Sequence, residues 1–176
     1  MQLSLSPPLT AVGWGDSAVH VGVPEPYALI RVELNGGRRV TRQAQATRPV
    51  TDAQRERLFA ALATGRLQGP ELDILRGIRG PAAVPGFGVE PLTARVGETA
   101  LVVTDRDGVW LRPFAPPGDA AAQAWPRFDA DGFYEGTVTL PARFRATAVR
   151  GDVVLGMYRD AADVEHVRAY RVVERR

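Results

Sequence analysis

The chain has 176 residues, a net charge of +2 and no cysteine. This length suits one domain that buries roughly 70% of the surface of its unfolded chain, and the lack of cysteine excludes disulfides and thiolate metal sites. Apolar residues make up 45% of the chain and charged residues 24%, which excludes a disordered or fibrous protein.

The N-terminal part of the chain predicts a group of short antiparallel strands. Its apolar and polar residues alternate in brief runs, as in half-buried strands. Asn35-Gly36-Gly37 predicts a tight hairpin, because Asn and Gly accept the positive φ that such turns require. We predict strands at 2–6, 9–14, 18–23, 28–34 and 38–44.

The hydrophobic period changes after residue 50. The stretch "TDAQRERLFAALATG" starts with Thr51 and Gln54 at capping-box spacing, and its apolar residues repeat at helical intervals. A weaker pattern from Pro70 predicts a second short helix. We therefore expect a short helical insertion at about 50–80, followed by a Pro/Gly connector at 80–91.

Strands are expected again in the remainder of the chain. The turns between them carry Gly and Asp, as in "DRDG", "DADG" and "RGD". We predict strands at 100–104, 109–114, 123–128, 134–140, 143–149, 153–159 and 165–173.

The two D-x-D-G segments raise the question of a metal site. Asp129, Asp131 and Gly132 match the start of a calcium loop, but the third oxygen ligand and the glutamate at position 12 are missing. A turn needs the same residues, since Asp bonds nearby backbone N–H groups and Gly takes positive φ. We interpret both segments as turns and predict no metal site.

Candidates for catalysis are few. His20 and His166 are the only histidines, and each is expected to be satisfied or solvent-facing rather than part of a catalytic pair. No serine lies in a G-x-S-x-G elbow, and "PGFGVEP" does not continue into a phosphate-binding helix. The sequence therefore predicts no enzyme, no catalytic residue and no cofactor.

One stretch has an excess of positive charge. Residues 38–48, "RRVTRQAQATR", contain Arg38, Arg39, Arg42 and Arg48 and no acid. The simplest interpretation is an edge strand whose arginines discourage pairing with other chains. The alternatives are a contact for an acidic partner and a contact for lipid headgroups. Nucleic acid is not expected, because elsewhere arginines alternate with acids.

Internal repetition groups the strands. "AVGWGDSAVHVGV", "LVVTDRDGVWLRPF" and "TAVRGDVVLGMYR" share an apolar strand, a Gly/Asp turn and an apolar return. With "RFDADGFY", "LPARF" and "VEHVR", this order resembles the last blades of bacterial six-bladed β-propellers of the NHL-like type. The resemblance implies a mainly β fold, a partial β-propeller of about three blades with antiparallel sheets and a short helical insertion. Residues 1–176 would then form a single propeller-like domain.

Three blades do not easily close into a ring, so we expect exposed blade faces that need a partner. The predicted function is a non-catalytic interaction or scaffold subunit, packed on a larger assembly or paired with a second copy. The alternative is a propeller remnant of hydrolase or small-ligand-binding type. The predicted partner contacts are Leu3, Leu5, Arg38, Arg39, Arg42 and Arg48. If Met1 is the native start, we expect the cytoplasm, with attachment to a larger or membrane complex as the alternative.

Overall fold

A computed structural model describes residues 11–24, 27–42, 48–49, 51–53, 56, 60, 83–84, 99–114 and 122–173. This part of the chain is mainly β, and its strands pair antiparallel. The strands are β1 Ala11–Trp14, β2 Ala18–Pro24, β3 Tyr27–Glu33, β4 Arg38–Arg42, β5 Arg48–Pro49, β6 Ala83–Val84, β7 Leu101–Val103, β8 Val109–Leu111, β9 Gln123–Phe128, β10 Tyr134–Leu140, β11 Phe144–Arg150, β12 Val153–Arg159 and β13 Glu165–Arg171.

Three meandering sheets account for most of these strands. Sheet 1 has the order β1-β2-β3-β4, sheet 2 the order β7-β8-β9-β10 and sheet 3 the order β11-β12-β13, while β5 and β6 form a separate two-residue pair. Each sheet follows the chain without a crossover, as expected when short loops join neighbouring strands. The predicted grouping of strands is confirmed for these three sheets.

The predicted β3–β4 hairpin is confirmed, although Gly36 and not Asn35 takes the positive φ, and Asn35 contributes through its side chain. Gly36 has a φ of +93°, and the Asn35 side-chain oxygen accepts a hydrogen bond from the Gly37 N–H at 3.0 Å. These two features fix the β3–β4 turn and therefore the register of β4 on β3.

Two predicted elements lie wholly or mostly outside the described residues. The predicted strand at 2–6, with Leu3 and Leu5, lies outside the described residues. Most of the helical insertion does too, and the few described residues in it, although helical at 52–53, 56 and 60, do not establish it. The β5–β6 pair lies at the end of the arginine stretch and in the expected connector, where no strand was predicted.

The three sheets stack face to face, with sheet 2 in the middle. One face of sheet 2 packs on sheet 1 through a cluster that includes Leu29, Leu101 and Val109. The other face packs on sheet 3 through a second cluster that includes Trp125 and Val154. Sheet 2 therefore buries both of its faces, whereas sheets 1 and 3 each bury one against it.

The first strands of the sheets lie side by side. β7 contacts both β1 and β11, and Thr104 forms a parallel bridge with Val149 at the end of β11. Gly13 of β1 permits the close approach, because a Cβ at this position would overlap the side chains of Leu101 and Val103. The turns that follow β1, β7 and β11 are consequently neighbours at one end of the stack.

Candidate functional site

An exposed apolar surface lies on the side of sheet 1 that faces away from sheet 2. The register aligns two apolar rows across this side, and we call it the sheet 1 outer face. Its members are Val12, Trp14, Val19, Val21, Ile30, Val32 and Val40. Trp14 is 75% exposed and Val12 is 50% exposed. A contiguous apolar surface of this kind is typical of an interaction site.

The predicted arginine contacts do not form one surface. β4 is an edge strand within the described part of sheet 1, as the edge-strand interpretation requires, and Arg38 is exposed on it. Arg39 points to the opposite side, where it forms an ion pair with Asp131 in the β9–β10 turn of sheet 2. Arg42 and Arg48 lie in strands, but their side chains are outside the description. Of this set, the structure shows an intramolecular role for Arg39.

Sheets 1 and 2 are joined at the turn end by Asp107. Its carboxylate accepts hydrogen bonds from the Asp16 N–H at 2.9 Å and from the Ser17 N–H at 3.3 Å, and also from the Ser17 hydroxyl. Partial burial raises the pKa of Asp107, but these hydrogen bonds and the charge of Arg31 outweigh it and leave the pKa below its usual value. The ionised carboxylate therefore fastens the β1–β2 turn to the β7–β8 turn.

The neighbouring turn is fastened in the same way. The Asp105 carboxylate accepts a hydrogen bond of 3.0 Å from the Gly151 N–H, in the β11–β12 turn of sheet 3. The β7–β8 turn thus holds both of its neighbours, one with each aspartate. This explains the "DRDG" segment structurally.

The second D-x-D-G segment is a turn as well. The Asp129 carboxylate accepts a hydrogen bond of 2.8 Å from the Phe133 N–H, and Gly132 has a φ of +83°. In "DRDG" the positive φ of 56° belongs to Asp107 instead of the glycine. Gly108 is needed for space, since a Cβ there would lie 2.9 Å from the carbonyl oxygen of Phe128. No cluster of three or more potential metal ligands occurs among the described residues.

His20 is more deeply buried than the sequence analysis expected. Its side chain points away from Val19 and Val21, it is only 1% exposed, and neither ring nitrogen has a hydrogen-bond partner among the described residues. Burial lowers the pKa of His20, and the nearby Arg31 lowers it further, while Asp107 acts in the opposite direction. The ring is therefore not solvent-facing, and no described residue forms a hydrogen bond with it.

A small cavity adjoins His20 between sheets 1 and 2. Its volume is about 10 Å³, and its lining includes His20, Arg31 and Thr41 of sheet 1 and residues 129–132 of sheet 2. The Arg31 guanidinium donates to the Ala130 carbonyl and, at 3.0 Å, to the Ser17 hydroxyl, while its buried Nε has no partner. This volume admits about one water molecule.

Ser17, His20 and Asp107 resemble a hydrolytic set in composition but not in geometry. The Ser17 hydroxyl bonds to Asp107, and no hydrogen bond joins the His20 ring to either residue. A nucleophile needs its base within hydrogen-bond reach and the base needs an orienting group. The present arrangement therefore holds two turns together and does not activate the serine.

His166 belongs to a different setting on sheet 3. Its ring is exposed, and its Nε2 lies 2.8 Å from an Asp160 carboxylate oxygen. This hydrogen bond, with backbone N–H groups of Val164 and Ala162, lowers the pKa of Asp160. The pair secures the β12–β13 turn, which agrees with the expectation of a satisfied or solvent-facing ring.

Comparison with known proteins gives no relatives, since no family model, no curated protein and no solved structure matches the chain. Within the described residues, no helix has both the length and the apolar character needed to cross a membrane. The function must therefore be argued from the surfaces and contacts of the chain itself.

Proposed function

We propose that this chain is a non-catalytic protein-interaction subunit that packs on a larger assembly through the sheet 1 outer face. The observation that carries the proposal is the row of exposed and half-buried valines, with Trp14 at its end. Aromatic residues are enriched at interaction surfaces because they bury large apolar area with few rotatable bonds.

The arrangement of the sheets belongs to the same proposal. Successive meanders that stack face to face, with their first strands side by side, are the arrangement of β-propeller blades. The sequence resemblance to six-bladed propellers supports this interpretation, and so does the contact of β7 with both β1 and β11. In a closed propeller the outer faces of sheets 1 and 3 would each be covered by another blade.

Covering an apolar sheet face contributes a large favourable free energy of association. An apolar sheet face on the order of 500 Å² contributes about 12 kcal/mol when it is fully covered, as an upper bound. That is comparable to the whole stability of a domain. A chain that leaves such a face in water has a strong drive to bind.

The rival function is a small-ligand-binding or hydrolase-type propeller remnant. The observation relevant to it is the cavity beside His20, which is about 10 Å³. A drug-sized ligand needs a cleft of about 300–1,000 Å³. This cavity is smaller than such a cleft, so it does not support the rival function.

Vesicle binding can distinguish a protein partner from a lipid surface. Arg38 lies at the edge of the sheet 1 outer face, and a lipid headgroup is the alternative contact for it. Sedimentation with anionic vesicles is expected to leave the chain in the supernatant, and salt-sensitive binding to them would favour the lipid surface.

The test of the proposed function uses the native, untagged protein and light scattering. We expect a mass above that of one chain, and loss of this association in Trp14→Arg. Phe133→Arg is the matched control, because Phe133 is 71% exposed in a turn of sheet 2. A stable monomer that binds no apolar dye would contradict the proposal.

A further inference from the structure

We propose that the partner is a second copy of this chain, bound head to tail, with the sheet 1 outer face of each copy packed on the free side of sheet 3 of the other. This inference rests on the proposed function and names its partner. The free side of sheet 3, which we call the sheet 3 outer face, includes Arg145, Ala148, Val153, Leu155, Met157, Val167 and Ala169.

The turn after the first strand identifies equivalent residue pairs in the three sheets. The turn after the first strand is closed by hydrogen bonds between Gly15 and Ala18 in sheet 1 and between Thr104 and Gly108 in sheet 2. In sheet 3 the innermost pair of the turn is Arg150 and Val153. The next pair outward is therefore equivalent in each sheet, namely Trp14↔Val19, Val103↔Val109 and Val149↔Val154.

These equivalent pairs lie on corresponding faces of their sheets. Val103 and Val109 of sheet 2 pack on sheet 1, and Val149 and Val154 of sheet 3 pack on sheet 2. Both pairs thus point to the preceding sheet along the chain. Trp14 and Val19 are on the corresponding face of sheet 1, where no described sheet precedes it. The sheet 1 outer face is therefore the same kind of face that sheets 2 and 3 bury.

The opposite faces of the three sheets can be compared in the same way, by the residues they present to the next sheet. Sheet 1 presents His20 and Arg31 to sheet 2, and sheet 2 presents Trp110 and Arg127 to sheet 3 at the equivalent register. These forward faces combine apolar residues with a partly buried arginine. Sheet 3 has Leu155 and Ala169 at the equivalent register, and the partly buried arginine of its outer face is Arg145, which pairs with Met157 further along β12.

The sheet 3 outer face has a polar border and an apolar centre. Arg145 donates a hydrogen bond of 2.8 Å to Glu165, which also accepts one of 2.6 Å from Arg159. Val167 is 76% exposed beside Met157 in the register. Each chain therefore has one face of each kind that no other described sheet covers, which is the requirement for a head-to-tail interface.

The number of copies follows from closure. A head-to-tail contact gives a ring if the rotation closes and a filament if it does not. Propellers close with about four to eight blades, and each copy contributes three meandering sheets within the part of the chain that the structure describes. Two copies are the only whole number that falls within this range, so the expected assembly is a closed dimer with two identical interfaces.

The experiment uses one variant on each face of the full chain. Trp14→Arg changes the sheet 1 outer face and Val167→Arg changes the sheet 3 outer face, and both residues are highly exposed, so the fold tolerates the substitution. We expect a wild-type dimer by light scattering. Each variant alone is expected to raise the dimer dissociation constant about 100-fold, while Phe133→Arg leaves it unchanged.

Mixing the two variants is the decisive measurement. A mixed dimer has one interface between unsubstituted faces, so the mixture is expected to recover part of the dimer that neither variant forms alone. A dimer that tolerates Val167→Arg but not Trp14→Arg would overturn the inference in favour of two sheet 1 faces in contact.

The same data separate this inference from the proposed function. Purified chain that remains monomeric, while the native protein from its source has a larger mass, would overturn the head-to-tail dimer and leave the proposed function intact. Monomers in both preparations would overturn both.

Discussion

The two interfaces of sheet 2 are built from equivalent strands but from different chemistry. Against sheet 3, Trp110 and Trp125 pack with Phe144 and Val154 in an apolar cluster. Against sheet 1, the apolar contacts end at His20 and a small cavity near the turns. Among the described residues, buried nitrogens without a protein hydrogen-bond partner occur on both sides of sheet 2, at His20 and Arg31 toward sheet 1 and at Arg127 toward sheet 3. The two interfaces therefore differ chiefly in their apolar packing.

The difference is clearest at one register position. His20 pairs with Arg31 in sheet 1, and Trp110 pairs with Arg127 at the equivalent place in sheet 2. The indole of Trp110 fills more of the interface between sheets 2 and 3 than the smaller imidazole of His20 fills between sheets 1 and 2. Both neighbours are attached to sheet 2 by an apolar cluster and by hydrogen bonds between turns. Sheet 1 adds the exposed Arg39–Asp131 ion pair, and sheet 3 adds the larger aromatic contacts.

The largest expected effect is at the interface between sheets 2 and 3. Trp125 is 1% exposed, and Trp125→Ala removes its apolar contacts and leaves a cavity. We expect the free energy of unfolding to fall by about 3–5 kcal/mol in chemical denaturation. Trp14→Ala is the control, and at the exposed position we expect a change within about 0.5 kcal/mol in the dissociated chain. Equal losses in the two variants would show that the assignment of the core is wrong.

The next effect concerns the link between the turns. Asp107→Asn keeps the shape and tolerates the positive φ, but it removes the charge that favours the hydrogen bonds from Asp16 and Ser17. We expect a loss of about 1–2 kcal/mol at pH 7. Asp105→Asn, which affects one hydrogen bond to Gly151, should cost less. The reverse order would mean that the turns of sheets 2 and 3 depend more strongly on this chemistry.

The same carboxylate gives a pH dependence. The pKa of Asp107 is lowered in the folded chain, so its stabilisation is present above the unfolded pKa of about 3.9 and is lost as the pH falls through the folded pKa. Acid titration of the wild type and Asp107→Asn should therefore converge below pH 4. A constant difference down to pH 2 would contradict the role of the ionised form.

His20 gives a smaller effect at higher pH. Its pKa is lowered in the folded chain, so the unfolded chain binds a proton first, and stability falls as the pH drops below about 6.5. His20→Leu removes this buried titratable ring, and we expect it to flatten the slope in denaturation measured between about pH 5 and 8. A slope that persists in His20→Leu would contradict its assignment to His20.

The smallest effect is expected at the exposed ion pair. Arg39 and Asp131 join β4 to the β9–β10 turn, but both side chains are more than half exposed. Arg39→Ala should therefore change the free energy of unfolding by less than about 1 kcal/mol, and less at high salt. A larger loss would indicate that this link carries much of the attachment of sheet 1.

The strands were predictable because their signals are local. Alternation in β2, the Asn-Gly-Gly turn and the two D-x-D-G segments each depend on residues within a few positions of one another. The contact residues were less predictable. Arg39 was expected to meet a partner, but it meets Asp131 of its own chain, because its strand edge faces another turn 92 residues away.

The sequence by itself determined the strand content, the meandering order and the turn chemistry of this chain, since period and turn residues act over short distances. Only the tertiary structure decided which side of each strand became an interface. Val19 and His20 alternate in the sequence, yet His20 is buried while Val19 belongs to the outer face. Alternation separates the two faces of a strand, but the face that is buried depends on where the next sheet packs.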